Sequence, residues 1–460
     1  MRRRDAASLA ACVLRLARLL DVTCLPGSQP PMLTQMVCAL LESLERMPPT
    51  EGDGSSQAGD GRSRASAPGA CSSEAGHGER DEHGTAASEA APNEAARSLL
   101  RDALPALDRE YAWWMRGGPN GSAVKLPPHD GRAAALLNRY SVVSAEPRAE
   151  SWREDEAVAE STAGGSARRS QLFGDLAAAA ESGWDFSSRW LGARRAGEAP
   201  LAAIRTGHIM PVELNAILYR NEMALQRLHA HRAAQLAQED EPAHGPSTRD
   251  DDDTPHAPAS TAFHTAAADK YAAAAAARRL AMNERMWHAE SARWLDLLWD
   301  GTNASRLEAE SAASYVPLWA GVADASQSAA AVGALARSSL VQRGGVATTL
   351  VASGQQWDWP NAWPPLQQML IEGLSECGAP GGADLAADLA SRWLASNHLG
   401  WQKSGVMHEK YDATRPGERG GGGEYEPQLG FGWTNGVALW LLERYAGTRV
   451  VDALDERRAE

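Results

Sequence analysis

A helical period runs through most of this sequence and limits the folds that it can adopt. Residues 212–230 read VELNAILYRNEMALQRLHA, in which apolar side chains recur at three- and four-residue steps. The same spacing appears in residues 270–292, 326–338, 366–374, 382–395 and 433–445. Loops rich in glycine, proline and tryptophan separate these segments, and no set of alternating strands is visible. We therefore predict a mostly α-helical fold.

Two stretches lack the apolar side chains that a core needs. Residues 49–93 consist mainly of small and charged residues, and residues 239–262 are acidic and proline-rich. Because neither can bury enough apolar area to offset the entropy of ordering, we predict two disordered insertions. At the ends, residues 1–25 predict an amphipathic helix rather than a signal peptide, and residues 448–460 form a tail.

Charge and cysteine spacing exclude several classes of function. The net charge of −14 argues against nucleic acid or an anionic membrane as a partner. No apolar run reaches 18 residues, so no membrane span is expected. The five cysteines form no CxxC pair, and His229 and His231 face different sides of a helix. We therefore expect neither a metal nor a cofactor.

Residues 181–190 read ESGWDFSSRW and place one carboxyl group among aromatic rings. Asp185 lies between Trp184 and Phe186, and such shielding from water raises a carboxyl pKa and favours a protonated acid. Because Ser187 and Ser188 follow, Asp185 could equally be the N-cap of a helix.

Residues 354–365 read GQQWDWPNAWPP, a stiff loop with three tryptophans. Tryptophan is the most abundant aromatic residue here, with 16 copies against 8 tyrosines and 4 phenylalanines. Flat indole rings suit the half-polar surface of a sugar, although they also fill helical cores and pack loops. Trp184, Trp357, Trp363 and Trp433 are the candidate rings.

Two neighbouring segments add carboxylates. Residues 408–412 read HEKYD, and residues 420–436 read GGGGEYEPQLGFGWTNG. Four successive glycines favour a lid or a close backbone approach, the alternative being a flexible surface loop. Asp185, Glu409 and Glu424 among tryptophans match what glycoside hydrolysis requires, namely one carboxylic acid to protonate the leaving oxygen and one carboxylate to activate water.

These segments resemble the trehalase family. Residues 354–365 are similar to its second signature, residues 181–190 to its catalytic-acid segment, and residues 409–412 and 420–437 to its base and glycine-rich lid. Weaker matches in the same order extend the resemblance from about residue 25 to 447, apart from the insertions. It implies an (α/α)6 toroid over residues 26–447, no cofactor, and hydrolysis of α,α-trehalose to glucose with inversion.

The resemblance also implies roles for single residues. Asp185 would be the general acid and Glu409 the general base, while Glu424 would contact substrate from the lid. The other residues expected to contact the sugar are Ser28, Gln29, Arg148, Glu150, Gly183, Trp357, Asp358 and Trp433. Two positions depart from the family pattern, since Ala149 replaces a proline and Gly27 replaces an arginine.

The first trehalase signature has no counterpart in this sequence. The resemblance therefore predicts a toroid that is incomplete at the N-terminus. Two alternatives to an active trehalase follow: a truncated, catalytically weak or inactive sugar-binding protein, and another (α/α)6 glucosidase.

Overall fold

The computed structural model describes residues 30–45, 94–161, 165–192, 201–239 and 260–450. Helices dominate these ranges, which confirms the predicted class. The α-helices are α1 (Leu33–Glu45), α2 (Glu94–Trp114), α3 (Trp152–Glu160), α4 (Ser166–Ser182), α5 (Val212–Glu239), α6 (Thr261–Arg285), α7 (Val316–Ala320), α8 (Ala325–Arg337), α9 (Pro364–Glu376), α10 (Gly382–Ser404) and α11 (Gly432–Arg444). Single 3-10 turns lie at Ala149–Ser151, Ser188–Leu191, Leu201–Ala203, Thr206–His208 and Ala312–Tyr315.

Short strands lie between the helices. They are β1 (Ala123–Leu126), β2 (Ala135–Asn138), β3 (Ile209–Met210), β4 (Trp287–His288), β5 (Arg293–Trp294), β6 (Leu297–Trp299), β7 (Ala304–Arg306), β8 (Val341–Gln342), β9 (Gly345–Val346), β10 (Asn361–Ala362) and β11 (Tyr411–Asp412). Antiparallel pairs join β1 to β2, β4 to β5, β8 to β9 and β10 to β11, and a three-stranded sheet has the order β3-β6-β7. Strands of two to four residues are too short to show the alternation by which a sequence reveals them.

The helix predicted over residues 270–292 is wrong at both ends. It begins at Thr261 and ends at Arg285, after which β4 and β5 form a hairpin. Across this hairpin the rings of Trp287 and Trp294 pack with centroids 4.5 Å apart. Packing between two aromatic side chains thus ends the helix where the local period alone would continue it.

Both predicted insertions fall largely outside the described residues. This holds for all of residues 49–93 and for residues 240–259, as it does for residues 1–25. Glu239 is the last residue of α5. Ser260 is the N-cap of α6, where its hydroxyl accepts a hydrogen bond from the Phe263 N–H at 3.2 Å.

Consecutive helices pack as pairs, and α5 lies at the centre of the core. It pairs with α6 and also contacts α1, α2 and α7, while α9 pairs with α10 and contacts α7 and α11. Leu214, Leu218 and Leu225 of α5 are fully buried. In the described ranges, no helix has an apolar stretch of the length that crossing a membrane requires.

Four loops converge at one place, and backbone hydrogen bonds tie each to the next. The Trp357 N–H donates to the Phe186 carbonyl at 3.0 Å, which joins the loop after α4 to the loop before α9. In β10 and β11, Asn361 pairs with Asp412 and joins that loop to the segment after α10. The Glu409 N–H donates to the Gln428 carbonyl at 3.1 Å, which adds the loop before α11. The four loops are those that the sequence analysis selected.

Candidate active site

Residues 181–190, which we name the acid segment, begin at the end of α4, and this helix is followed by a glycine. Gly183 has a φ of +76°, a left-handed conformation, and its N–H donates to the Ala180 carbonyl at 3.0 Å. The chain therefore turns sharply, and Asp185 follows two residues later. Because the Gly183 N–H is used by the helix end, any backbone contact of Gly183 with a ligand has to use its carbonyl oxygen.

Asp185 is half-buried and does not cap the next helical turn. Ser187 is that N-cap, and its hydroxyl accepts a hydrogen bond from the Arg189 N–H at 3.2 Å. Burial raises the pKa of the Asp185 carboxyl to about 6; Glu424 and Glu409 also raise it, whereas a backbone hydrogen bond and Arg148 oppose the shift. A carboxyl with this pKa holds its proton at mildly acidic pH, as a general acid requires.

Glu409 is buried and held by two hydrogen bonds. The Tyr425 hydroxyl donates to Oε1 at 3.0 Å, and the Gln428 N–H donates to Oε2 at 3.1 Å. Burial and the nearby Glu409 charge raise the pKa of Tyr425 well above its ordinary value, so this phenol keeps the proton that it donates. Hydrogen bonds to both oxygens hold this side chain in a fixed orientation.

The glycine-rich segment closes over the loop before α9. Gly422 has a φ of +76°, and a Cβ there would lie 2.4 Å from the Gly354 carbonyl oxygen. Gly423 has a φ of +90°, and a Cβ there would lie 2.9 Å from the Gln356 side chain. Two of the four glycines are thus required by backbone conformation and by close approach to protein. We name residues 420–425 the lid.

Beyond its glycines, the lid carries Glu424 to Arg148. The Arg148 Nη2 donates to Glu424 Oε2 at 3.2 Å and to Asp155 Oδ1 at 2.6 Å, and the guanidinium lies 4.8 Å above the Phe186 ring. Burial raises the pKa of Glu424, although Arg148 opposes this shift. Asp185, Glu409, Glu424 and Arg148 are therefore brought together.

Stacked indoles lie beneath the acid segment. Trp184 stacks on Trp357 with centroids 5.2 Å apart, and Trp357 stacks on Trp363 at 4.0 Å with an interplanar angle of 2°. Trp433 packs edge-on against Trp363 at 5.5 Å. Trp357 and Trp363 are buried, so this part of the aromatic cluster is core rather than an open platform. Trp433 is half-buried, and its indole N–H donates to the Glu409 carbonyl at 3.1 Å.

Asp358 is fully buried and surrounded by donors. Hydroxyls of Ser187, Ser188, Thr349 and Ser353 donate to its two oxygens, as does the Ser188 N–H at 2.7 Å. These donors come from the acid segment and from the loop before α9. Asp358 therefore fastens the two loops together.

Among the remaining predicted contacts that the structure describes, Glu150 is not assembled with the carboxylates. Glu150 is exposed, and among the described residues its carboxylate forms no ion pair. Asp155, seven residues after Arg148, is the buried partner of that arginine instead. Ser28 and Gln29 lie outside the described residues.

Sequence reasoning missed the residues that connect the loops. The Gln356 Nε2 donates to the Asp185 carbonyl, and its Oε1 accepts a hydrogen bond from Lys410 Nζ at 2.7 Å. The Asn361 side chain holds the lid at Gly421 through both backbone groups, at 2.8 and 3.1 Å. Gln356, Asn361 and Lys410 are polar and lie inside the motifs at residues 354–365 and 408–412, and this polarity is the signal by which they could have been found.

Metal ligation finds no support in the part of the chain that the structure describes. No group of three or more His, Cys, Asp or Glu side chains there is arranged to hold an ion. His229 is buried, and its Nδ1 lies 2.8 Å from Nδ1 of His264, while its Nε2 lies 3.1 Å from Asp108. These histidines are paired with protein groups.

Comparison with known proteins places this geometry in a family. The family model named Trehalase matches residues 25–446. A probable trehalase of Oryza sativa subsp. japonica is 33% identical over 366 residues, which cover 76% of this chain and 58% of that protein. A periplasmic trehalase of Salmonella newport is 38% identical over 351 residues, which cover 75% and 53%. The chain thus spans about half the length of the curated relatives that it matches.

A solved structure supports the fold independently. The neutral trehalase Nth1 of Saccharomyces cerevisiae superposes with a TM-score of 0.56 at 21% identity, covering 93% of this chain and 64% of that chain. At this identity the likeness concerns the fold alone. It confirms the expected (α/α)6 arrangement of paired helices.

Proposed function

This chain belongs to the trehalase family, and from this premise we propose that it hydrolyses α,α-trehalose to two glucose molecules by an inverting acid/base mechanism. The observation that carries the proposal is the convergence of two carboxyl groups from separate loops, the half-buried Asp185 and the buried, hydrogen-bonded Glu409. Inverting hydrolysis needs such a pair, with one member protonated and the other ionised.

Asp185 is the proposed general acid. Its pKa of about 6 keeps a proton available for the glycosidic oxygen at mildly acidic pH. Trp184 and Phe186, both buried, flank it in the chain and limit the access of water. Protonation of the leaving oxygen prevents the departing glucose from leaving as an alkoxide.

Glu409 is the proposed general base. The Tyr425 and Gln428 hydrogen bonds fix the orientation of its carboxylate, which accepts a proton from the attacking water. In an inverting enzyme that water lies between the base and the sugar, so the carboxyls of Asp185 and Glu409 should be about 6.5–9.5 Å apart.

Substrate contacts are proposed for the residues around this pair. Arg148 and Glu424 form an ion pair beside Asp185 and have donors and acceptors suited to sugar hydroxyls. The buried Trp357 indole N–H donates to no described residue, and Trp433 lies next to Glu409. By motif, we propose the same role for Ser28, Gln29, Glu150 and the Gly183 carbonyl, whereas the contacts of Asp358 favour an indirect role.

The test is glucose release from α,α-trehalose by the 460-residue chain and its variants. Asp185→Asn and Glu409→Gln should each lower kcat by about 10²–10⁴-fold, as expected when a general acid or base is lost. Glu426→Gln is the matched control, because that side chain is 85% exposed and pairs only with Arg419 among the described residues. It should leave kcat unchanged.

Two outcomes would contradict these assignments. If Glu409→Gln kept near-normal activity while Glu424→Gln lost it, Glu424 would be the base. If the unaltered chain cleaved other glucosides but not trehalose, it would be a different glucosidase.

A further inference from the structure

Lys410 is a fully buried lysine that directly follows Glu409 in the chain. A buried ammonium is costly unless its protons find acceptors. Its Nζ donates to Gln356 Oε1 at 2.7 Å and to the Gly422 carbonyl at 3.5 Å. It also lies 4.8 Å from the Trp363 ring centroid and 5.5 Å from the Tyr425 ring centroid, so two aromatic faces replace water around the charge.

The lysine determines the orientation of the Gln356 amide. An ammonium only donates, so the amide must turn its oxygen toward Nζ. The amide nitrogen then faces the Asp185 backbone carbonyl, which can only accept, and donates to it. We name residues 408–412 the base segment. Since Gln356 is itself buried, direct contacts connect the base segment to the acid segment.

A second chain of contacts runs from Lys410 to the base. The Tyr425 ring rests over the ammonium, and its hydroxyl donates to Glu409 Oε1 at 3.0 Å. The Gly422 carbonyl brings the lid backbone to the same ammonium. One side chain thus contacts the groups that orient both candidate catalytic carboxyls.

We propose that Lys410 is a positioning residue that fixes the acid and base segments relative to each other, through Gln356 on one side and Tyr425 on the other. As a nearby cation, it is also attracted by the charges of Glu409 and Asp185. This inference rests on the proposed roles of those two residues and adds the element that holds them in register.

The charged groups around Lys410 determine the pH range in which its side chain is a cation. The pKa of Lys410 is lowered to about 8, chiefly by burial and also by Arg419, while Glu409 and Asp185 oppose the shift. Tyr425 is neutral, since its pKa is raised. Lys410 is therefore a cation across the mildly acidic range in which Asp185 titrates.

The experiment measures kcat and KM for trehalose against pH in Lys410→Met. Methionine matches the unbranched stem without the charge. We expect kcat to fall by about 10²-fold with little change in KM, since small misplacement of reacting groups costs about that much. Both limbs of the pH profile should move upward by roughly 0.5–1 unit, because removing a neighbouring cation raises carboxyl pKa values. If Lys410→Met does not fold, Lys410→Gln takes its place.

Three variants separate positioning from general damage. Lys403→Met is the matched control, because Lys403 is exposed and pairs with Glu418 at 2.7 Å; it should leave the profile unchanged. Lys410→Arg keeps the charge and should return both limbs toward the wild-type positions. Lys410→Met combined with Gln356→Leu should lower kcat no more than Gln356→Leu alone, because coupled residues are not additive. Unmoved limbs in Lys410→Met, or full additivity in the double variant, would overturn the inference.

A second readout works without turnover. The Asp185 carboxyl can be titrated by NMR in protein labelled with ¹³C at aspartate Cγ, its resonance being the one lost in Asp185→Asn. Lys410→Met should raise the pKa of Asp185, and an unchanged titration would refute the inference. If the unaltered chain released no glucose, the proposed function would fail, while this titration would still decide the role of Lys410.

Discussion

At the scale of single residues, Asp185 and Asp358 show how different surroundings give two aspartates different roles. Burial raises the pKa of Asp185 to about 6. Asp358 is more deeply buried, yet it accepts hydrogen bonds from hydroxyls of four different residues. Burial disfavours the anion of Asp185, which suits chemistry, whereas the hydrogen bonds of Asp358 join two loops, which suits structure.

This contrast predicts that replacing Asp185 and replacing Asp358 by asparagine change the free energy of unfolding in opposite directions. The pKa of Asp185 rises from about 3.9 in the unfolded chain to about 6 in the folded protein. The folded state therefore binds this proton more tightly, and stability is lost as pH rises through that window. Asp185→Asn should raise the free energy of unfolding by about 1–3 kcal/mol at pH 7.5 and change it little at pH 4.

Urea denaturation at the two pH values measures this difference. Asp358→Asn is the comparison, because an amide cannot accept from all of those donors, and it should destabilise the fold at pH 7.5. If Asp185→Asn destabilised the protein at pH 7.5 as well, the account of a strained acid would be wrong.

Residue roles were only partly predictable from the sequence. Asp185 stood out because it lies between Trp184 and Phe186, whereas the roles of Glu409 and Glu424 came from the resemblance of their segments to the family. Trp357 and Trp363 carried the same signal but lie buried in a stack, since burial depends on which loops meet. Lys410 contacts a glutamine 54 positions away, which no local pattern can show.

At the scale of elements, the lid is defined by where glycine is needed. Gly421 has open space at its Cβ position, whereas Gly422 would place a Cβ 2.4 Å from the Gly354 carbonyl oxygen. The Asn361 side chain hydrogen-bonds to both backbone groups of Gly421 and so holds the lid against the loop before α9. Closure therefore depends on one glycine far more than on its neighbour.

The two glycines form a matched pair for mutation. Gly422→Ala should displace Glu424 and Tyr425, which follow directly, and so lower kcat/KM for trehalose by about 10–100-fold, or about 1.4–2.8 kcal/mol. Gly421→Ala should lose far less. Equal losses would show that lid flexibility, rather than the close approach at Gly422, is what the glycines provide.

Helices and strands differ in how well the sequence revealed them. The apolar residues of α5 recur at three- and four-residue steps, so the helix is visible in the sequence, although its first eight residues, Val212–Tyr219, are buried on every side. The pair β10 and β11 has two residues in each strand, yet it fixes the base segment against the loop before α9. Such pairs are set by tertiary contacts and leave no periodic trace.

At the scale of the whole molecule, paired helices form the scaffold and the loops between them carry the candidate site. The helical period predicts only a mostly α-helical class, whereas the (α/α)6 arrangement was implied by the family resemblance and is shared with the yeast neutral trehalase. The convergence of four loops does not follow from any period, because it depends on long-range hydrogen bonds such as that from Trp357 to Phe186. Fold class was thus predictable where the meeting of the loops was not.

The central claim is that Asp185 and Glu409 act as acid and base in an inverting hydrolysis of α,α-trehalose. Proton NMR of the first minutes of the reaction tests it most directly, before mutarotation mixes the anomers. Water attack opposite the scissile bond should release one glucose as the β anomer and the other as the α anomer, in equal amounts. Release of α-glucose alone would contradict the claim.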